Sequence, residues 1–186
     1  MSNSKLLIIF IFAIILHESF EKALWSYEYI SVNIKKSGTE YIDSDIKVKR
    51  ISRGRYGLNG FIDIKKDTTD KWIGNISILR SATGNNNYKP TPFEVPTDTV
   101  HNIMNGAYKR FFMNSVRNCT TNGVYFKGNF VPPITKRRIL LNECNIRTED
   151  WPYLSSGVYK VVVRILGPQY ISWDFSFKAV SNIFPS

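Results

Sequence analysis

Short segments in which apolar and polar residues alternate recur along most of this chain, and a period of two is typical of half-buried β-strands. The C-terminal segment shows the alternation best, with apolar residues at every second position: Ile171, Trp173, Phe175, Phe177 and Ala179. We predict further strands within residues 27–34, 41–51, 56–64, 72–78, 124–130, 139–144 and 158–166. Turn-forming residues separate many of these segments, so the sequence predicts a mainly β fold, an antiparallel β-sandwich or β-cup.

One segment follows a helical period instead. After an extended connector over residues 90–96, apolar residues recur at spacings of three and four as far as Val116. Thr97 is a suitable N-cap, and Asp98 suits the positive end of a helix dipole. We therefore predict one amphipathic helix that begins at Thr97 and covers one side of a sheet.

Two glycines interrupt the segment from Tyr56 to Ile64. Gly57 and Gly60 lie among apolar residues of one parity. A glycine inside a strand often marks a β-bulge or a close approach of another backbone. We expect one of these irregularities in this strand.

The N-terminus has the pattern of an export signal. Lys5 is followed by eleven apolar residues, Leu6 to Leu16. Eleven residues are too few to span a bilayer, which takes about 20, but they fit the apolar region of a signal peptide. The sequence predicts a signal peptide over residues 1–23 and one β domain over residues 24–186, in a secreted, extracellular protein.

A secreted protein folds in an oxidising compartment, where two cysteines of a small domain usually pair. Cys119 and Cys144 are predicted to form a disulfide. Asn75 and Asn118 begin sequons, and Asn75 is favoured because Asn118 adjoins a predicted disulfide. Together with His101 the cysteines are too few for a zinc site, so neither a metal nor a cofactor is expected.

The net charge of +10 does not indicate a nucleic-acid partner. Basic residues are spread along the chain, and the densest groups lie within residues 47–55 and 136–138. In an exported protein such groups form solvated faces or contact anionic lipids and glycans.

No arrangement of residues indicates catalysis. His101 has no evident nucleophile or carboxylate beside it, so we expect no catalytic residues and a protein that is not an enzyme. Aromatic residues are abundant, with four Trp, twelve Phe and ten Tyr. They fit both a filled core and an apolar ligand cavity.

A set of short motifs in fixed order runs through almost the whole chain after residue 24. They are Tyr56-Gly-Leu-Asn59-Gly60, Lys66-Asp67 with Asp70 and Trp72, the Gly84 turn leading to Tyr88 and Pro92-Phe93, Tyr108-Lys109 before Cys119, Phe130-Val-Pro132-Pro133, Cys144, Trp151-Pro152 and Gly157-Val-Tyr159-Lys160. This ordered set resembles the insect chemosensory protein B family, which is related to the GM2-activator and ML lipid-recognition proteins. The GM2 activator has four disulfides, whereas this chain has cysteines for one.

The resemblance implies a β-cup that holds a hydrophobic small molecule or lipid, and a role in the perception of cuticular pheromones. Inward parity selects the candidate lining residues: Trp72, Ile76, Ile78, Phe111, Phe112, Phe126, Tyr159, Val161, Val163, Trp173, Phe175 and Phe177. Residues 130–133 and 151–152 are expected to form rim loops that touch a membrane or a chemoreceptor. The alternative is a solid-core interaction protein whose basic surface binds a receptor or anionic glycans.

Overall fold

The computed structural model describes residues 25–149 and 151–182, so the predicted leader lies outside the described residues. The described residues form nine strands: β1 (Trp25–Lys36), β2 (Ile42–Ser52), β3 (Arg55–Ile64), β4 (Ile73–Ser81), β5 (Lys89–Thr99), β6 (Thr120–Thr121), β7 (Arg137–Cys144), β8 (Gly157–Ile165) and β9 (Ile171–Ser181). One helix, α1, consists of three consecutive segments: α-helical Val100–Ile103, π-helical Met104–Phe112 and α-helical Met113–Val116.

The strands form two antiparallel sheets. One has the order β1-β9-β8-β4-β5, and the other has the order β2-β3-β7-β6. Apolar residues from both sheets and from α1 join one hydrophobic core. Inward-facing residues of two packed sheets form such a core in β-sandwiches. The predicted mainly β, antiparallel sandwich is therefore confirmed.

The alternation predicted for the last strand is also confirmed. In β9, Ile171, Trp173, Phe177 and Ala179 are buried, and Phe175 is partly buried. This strand pairs with β1 on one side and with β8 on the other, so both of its edges are hydrogen-bonded. Its inward face is consequently a fixed part of the core.

β1 changes its inward parity part-way along the strand. Tyr29 is buried and Ile30 is 53% exposed, whereas Val32 and Ile34 pack against the core. The pairing with β9 shifts between Tyr29 and Ser31, which leaves Ile30 as an extra residue. A bulge of this kind moves all later side chains to the opposite face.

Gly60 is the close backbone approach that the sequence predicts. Its φ is +137°, and a Cβ added there would lie within 1.9 Å of the Asp45 carbonyl oxygen. The β3–β7 pairing shifts in register between Leu58 and Gly60. No residue with a side chain fits at this position without moving β2.

The helix begins later than predicted. Thr99 is the N-cap, and its hydroxyl accepts a hydrogen bond from the backbone N–H of Asn102 at 3.2 Å. Thr97 and Asp98 belong to β5, which also includes the predicted connector over residues 90–96. β5 is an edge strand, where prolines are tolerated because the outer backbone groups need no strand partner.

Cys119 and Cys144 form the predicted disulfide. Cys119 follows the turn after α1, and Cys144 is the last residue of β7. The bond therefore ties the C-terminal end of the helix to the second sheet.

Candidate ligand cavity

An apolar cavity of about 320 Å³ is bounded by both sheets and by α1. This volume lies at the lower end of the range for small-molecule pockets, about 300–1,000 Å³. Protein interiors otherwise hold few voids larger than a water molecule. The cavity is thus large enough to be a binding site and is not an ordinary packing defect.

Strand residues form most of the lining, and we call them the sheet wall. They are Trp25, Tyr27, Tyr29, Ile46, Leu58, Ile62, Asn75, Ile76, Leu141, Val161, Val163, Arg164, Ile165, Trp173, Phe175 and Phe177. Phe177 is the centre of an aromatic cluster in this wall. Its ring stacks on Tyr159 at 5.7 Å and on Trp25 at 6.3 Å between centroids, and it meets Tyr27 edge-on.

The remaining lining residues come from α1 and from the segment after β7, and we call them the helix wall. They are Val100, Ile103, Met104, Tyr108, Phe112, Val116, Ile146, Thr148 and Trp151. Most of them are only partly buried. Four of the six helix residues lie in or within one residue of the π-helical segment, and short π-helical segments occur frequently at functional sites.

Side-chain contacts to loop backbone hold the helix wall in place. The Tyr108 hydroxyl donates to the Val124 carbonyl at 2.7 Å, and Lys109 Nζ donates to the Gly128 carbonyl at 2.7 Å. Trp151 Nε1 donates to the Phe111 carbonyl at 3.3 Å. Burial raises the pKa of Tyr108, so this phenol stays protonated and remains a donor at neutral pH.

Two tyrosines of the sheet wall, Tyr27 and Tyr29, carry hydroxyl groups. The Tyr27 hydroxyl donates to the Ile146 carbonyl at 2.8 Å and accepts from the Ile146 amide at 2.6 Å. The hydroxyl oxygens of Tyr27 and Tyr29 are 3.5 Å apart. Burial raises the pKa of both phenols, that of Tyr29 well above its ordinary value. Both hydroxyls are neutral across the physiological range.

Seven of the twelve residues predicted to line a cavity do so: Ile76, Phe112, Val161, Val163, Trp173, Phe175 and Phe177. The structure places the other five in packing around it. Trp72, Ile78 and Tyr159 are core residues, Phe126 packs against Phe130, and Phe111 packs against Trp151. Parity identified the correct face of each strand but not the position of the cavity along it.

Sequence reasoning missed the contribution of β1. Trp25, Tyr27 and Tyr29 all line the cavity. Their spacing of two was visible in the sequence, and Trp25 and Tyr29 are almost fully buried. Both faces of the segment carry large residues, so alternation alone did not say which face is inward.

The first predicted rim loop is exposed only at its tip. Val131 is 78% exposed and is followed by two exposed prolines. Phe130 is buried against Phe126 and His101, so it anchors the loop and is not a rim residue. In the second loop, Trp151 lines the cavity and Pro152 is partly buried.

His101 is buried and has close partners, which the sequence alone did not identify. Its Nε2 is 2.8 Å from the Thr68 hydroxyl, and its Nδ1 is 3.6 Å from an Asp70 carboxylate oxygen. Thr68 is buried, and its hydroxyl also accepts from the Ile134 backbone N–H at 2.8 Å. The cluster joins the start of α1 to the loop that follows Phe130.

The two basic groups lie at opposite ends of the second sheet. Residues 47–55 surround the β2–β3 hairpin, whereas Arg137 and Arg138 pair with the other end of β3. Arg138 also covers the Phe61 ring at 3.9 Å from its centroid. These two groups therefore do not join into one basic patch.

The two sequons differ in their surroundings. Asn118 is exposed in the turn after α1. Asn75 is partly buried, with its amide nitrogen donating to Thr97 at 3.2 Å and its oxygen accepting from Arg164 at 3.2 Å. The better exposed acceptor is thus Asn118, the sequon that the sequence disfavoured, and glycosylation of each stays a prediction.

Fold and cavity together define a class: an antiparallel β-sandwich with an apolar internal site closed on one side by a helix. A family model described as "Protein of unknown function (DUF1091)" matches residues 74–161, from within β4 to within β8. This segment holds α1 and both cysteines but is less than half of the chain. No curated protein matches the sequence.

Within residues 25–149 and 151–182, none of the helical segments is long and apolar enough to cross a bilayer. The same residues contain no group of three or more His, Cys, Asp or Glu side chains placed to hold a metal ion.

Proposed function

We propose that this protein is a secreted chemosensory binding protein that carries or presents an apolar ligand, a lipid or cuticular pheromone, in the cavity between its sheets. The cavity is the observation that carries the proposal. A liquid water molecule takes up about 30 Å³, so about 320 Å³ of apolar space corresponds to many solvent molecules. Removing apolar surface from water on ligand binding would be favourable by about 25 cal/mol per Å².

The chemosensory part of the proposal depends on the ordered motifs that resemble the insect chemosensory protein B family. The leader-like N-terminus and the disulfide support export, because disulfides persist in oxidising compartments. The match to a family of unknown function adds no ligand class.

The proposal assigns no catalytic step to the protein. The Thr68 hydroxyl, which lies beside His101, is buried and already engaged by the Ile134 backbone. A nucleophile must reach its substrate, and this hydroxyl belongs to a residue that is 3% exposed and is not among the cavity lining residues.

Filling the cavity tests the proposal. Val163 lines the cavity on β8, and Val180 is 44% exposed on β9 of the same sheet. Val163→Phe should weaken uptake of a fluorescent fatty-acid probe at least about tenfold, whereas Val180→Phe should leave it unchanged. The measurement is probe titration on the full-length protein, with thermal unfolding to confirm that both variants fold.

Two results would contradict the proposal. The first is that the wild-type protein takes up neither a fatty-acid probe nor a neutral naphthylamine probe. The second is that it binds such a probe equally well after Val163→Phe, which would locate the binding outside the cavity.

A further inference from the structure

One side chain of the sheet wall reaches from the first sheet to the second. Trp173 lies on β9, and its indole Nε1 donates to the Ser44 hydroxyl on β2 at 3.0 Å. The same hydroxyl donates to the Phe61 carbonyl on β3 at 3.0 Å. Trp173 and Ser44 are both buried, and a hydrogen bond is stronger away from water. The indole is therefore held in one position between the sheets.

The lining of the cavity ends on β9 at this residue. Trp173, Phe175 and Phe177 line the cavity. Ile171, the next inward residue of the strand, is 0% exposed, belongs to the hydrophobic core and is not a lining residue. On the neighbouring β8 the lining continues to Ile165, which pairs with Ile171. β9 itself changes from cavity wall to packed core at Trp173.

The second sheet changes at the same level. Ile62 on β3 pairs with Ser44 and lines the cavity. Ile42 and Ile64 form the next inward-facing pair, and both are buried in the core and are not lining residues. The indole of Trp173 consequently stands at the boundary between open cavity and close-packed core on both sheets.

An end wall of this kind limits how much of an apolar chain the cavity can bury. Each further methylene that enters an apolar site strengthens binding about fourfold. A carbon that meets the indole finds close-packed atoms instead, and a packed interior does not accept an added methylene without strain. Affinity should therefore rise with chain length only until the chain reaches the indole.

We infer that Trp173 sets the length of the apolar chain that the cavity accepts, and that Ser44 is a positioning residue that holds the indole across the gap. This inference rests on the proposed function and deepens it. It assigns the selection of shorter chains over their longer homologues to one side chain of the sheet wall.

The test is a displacement series with linear alcohols from octanol to hexadecanol on the full-length protein. Each alcohol displaces a bound naphthylamine probe and is compared only with itself across variants, so differences in solubility cancel. Trp173→Leu removes the rings that cross the gap. The ratio of variant to wild-type affinity should rise along the series by about tenfold, the gain from burying about one to two more methylenes.

Trp72→Leu is the matched control. Trp72 is buried in the same core but is not a lining residue. The same side-chain truncation there should leave the affinity ratio constant along the alcohol series. Thermal unfolding checks that the variants fold. Trp173→Phe, which keeps one ring and loses the bond to Ser44, should give a smaller rise in the same direction.

Ser44→Ala tests the positioning role. It keeps the indole and removes the hydrogen bond that holds it, so a long chain can displace the ring. The affinity ratio should rise about threefold for hexadecanol and stay unchanged for octanol. A purely structural role of Ser44 would instead change both affinities by the same factor.

The outcomes separate the two proposals. If the alcohols bind and neither Trp173→Leu nor Trp173→Phe changes the ratio along the series, the chain-length role is wrong and the binding function stands. An equal rise in Trp72→Leu leads to the same conclusion. If neither the alcohols nor the naphthylamine probe bind the wild-type protein, the binding function fails and the chain-length role falls with it.

Discussion

The sheet wall and the helix wall bound the same cavity but are held in different ways. Every strand of the sheet wall pairs with a neighbour through a backbone ladder, and Trp173, Phe177 and Tyr29 are almost fully buried there. Beyond its own helical bonds, the helix wall is held by side-chain contacts to backbone and by one disulfide. Its contacts with β1 are two hydrogen bonds between Tyr27 and Ile146 and one from the Thr148 hydroxyl to the Trp25 carbonyl. Most of its lining residues are half-buried.

This difference assigns the two walls different tasks. Regions with few buried contacts open at lower free energy than core strands. We therefore expect the sheet wall to fix the shape of the cavity and the helix wall to be the side that opens for a ligand. The π-helical segment of α1 lies on that side.

Truncating one phenylalanine in each wall gives the largest predicted contrast. Phe177→Ala removes the centre of the aromatic cluster and should lower the free energy of unfolding by about 3–5 kcal/mol. Phe112 is half-buried and meets Trp151 edge-on at 5.4 Å, so Phe112→Ala should cost roughly half of that or less. Urea unfolding measures both, and equal costs would contradict the division between the walls.

Removing the disulfide should have the next largest effect. The bond spans 25 residues, and Cys119→Ser combined with Cys144→Ser should cost about 3–4 kcal/mol on the chain-entropy model. The loss of stability should be largest in the helix wall, because the bond anchors the end of α1. Hydrogen exchange should accelerate more in residues 100–116 than in β8 and β9, and a uniform acceleration would argue against a separately held helix.

Alkaline pH should produce a smaller effect that begins in the sheet wall. The pKa values of Tyr27 and Tyr29 are raised in the folded state by burial, so above pH 10 the unfolded chain loses phenol protons that the folded protein keeps. Stability from these groups is present below about pH 10 and falls as pH rises further.

Tyr29→Phe isolates that contribution. The slope of unfolding free energy against pH, measured from pH 9 upward, should be shallower in this variant than in the wild type. An unchanged slope would mean that Tyr29 ionises as readily in the folded protein as in the unfolded chain.

Salt should have the smallest effect, and it separates cavity binding from the basic-surface alternative. Affinity for an apolar probe should change less than about twofold between about 0.1 and about 1 M salt, because screening acts on charge contacts. A partner held by residues 47–55 should instead be lost at high salt and after Arg53→Glu with Arg55→Glu. A steep salt dependence of probe binding would favour that alternative.

The alternation of apolar and polar residues predicted the strands well, because inward side chains lie in the core and outward side chains lie in water. β9 alternates cleanly, and it is the strand whose burial agrees best with the prediction. The inward face of β1 was harder to predict. The extra residue at Ile30 reverses that face part-way along the strand, and a strict alternation of residues does not reveal a one-residue bulge. The predicted strand between Val124 and Phe130 is a loop instead, held by side chains of α1.

The cavity itself could be predicted only in part. A residue such as Ile78 faces inward as predicted, yet it is buried in the core and does not line the cavity. The position of the cavity depends on the distance between α1 and the strands. No local sequence pattern predicts that distance. The start of α1 was misplaced for a similar reason, since Thr97 and Thr99 are both good caps and pairing of β5 with β4 decides between them.

The most direct test of the central claim is to produce the full chain in insect cells, purify the protein, extract it with organic solvent and quantify the extract by mass spectrometry. The account predicts about one equivalent of an apolar molecule, and its absence from Val163→Phe protein prepared in parallel. An extract without any stoichiometric apolar molecule, from protein that also takes up no added probe, would contradict it.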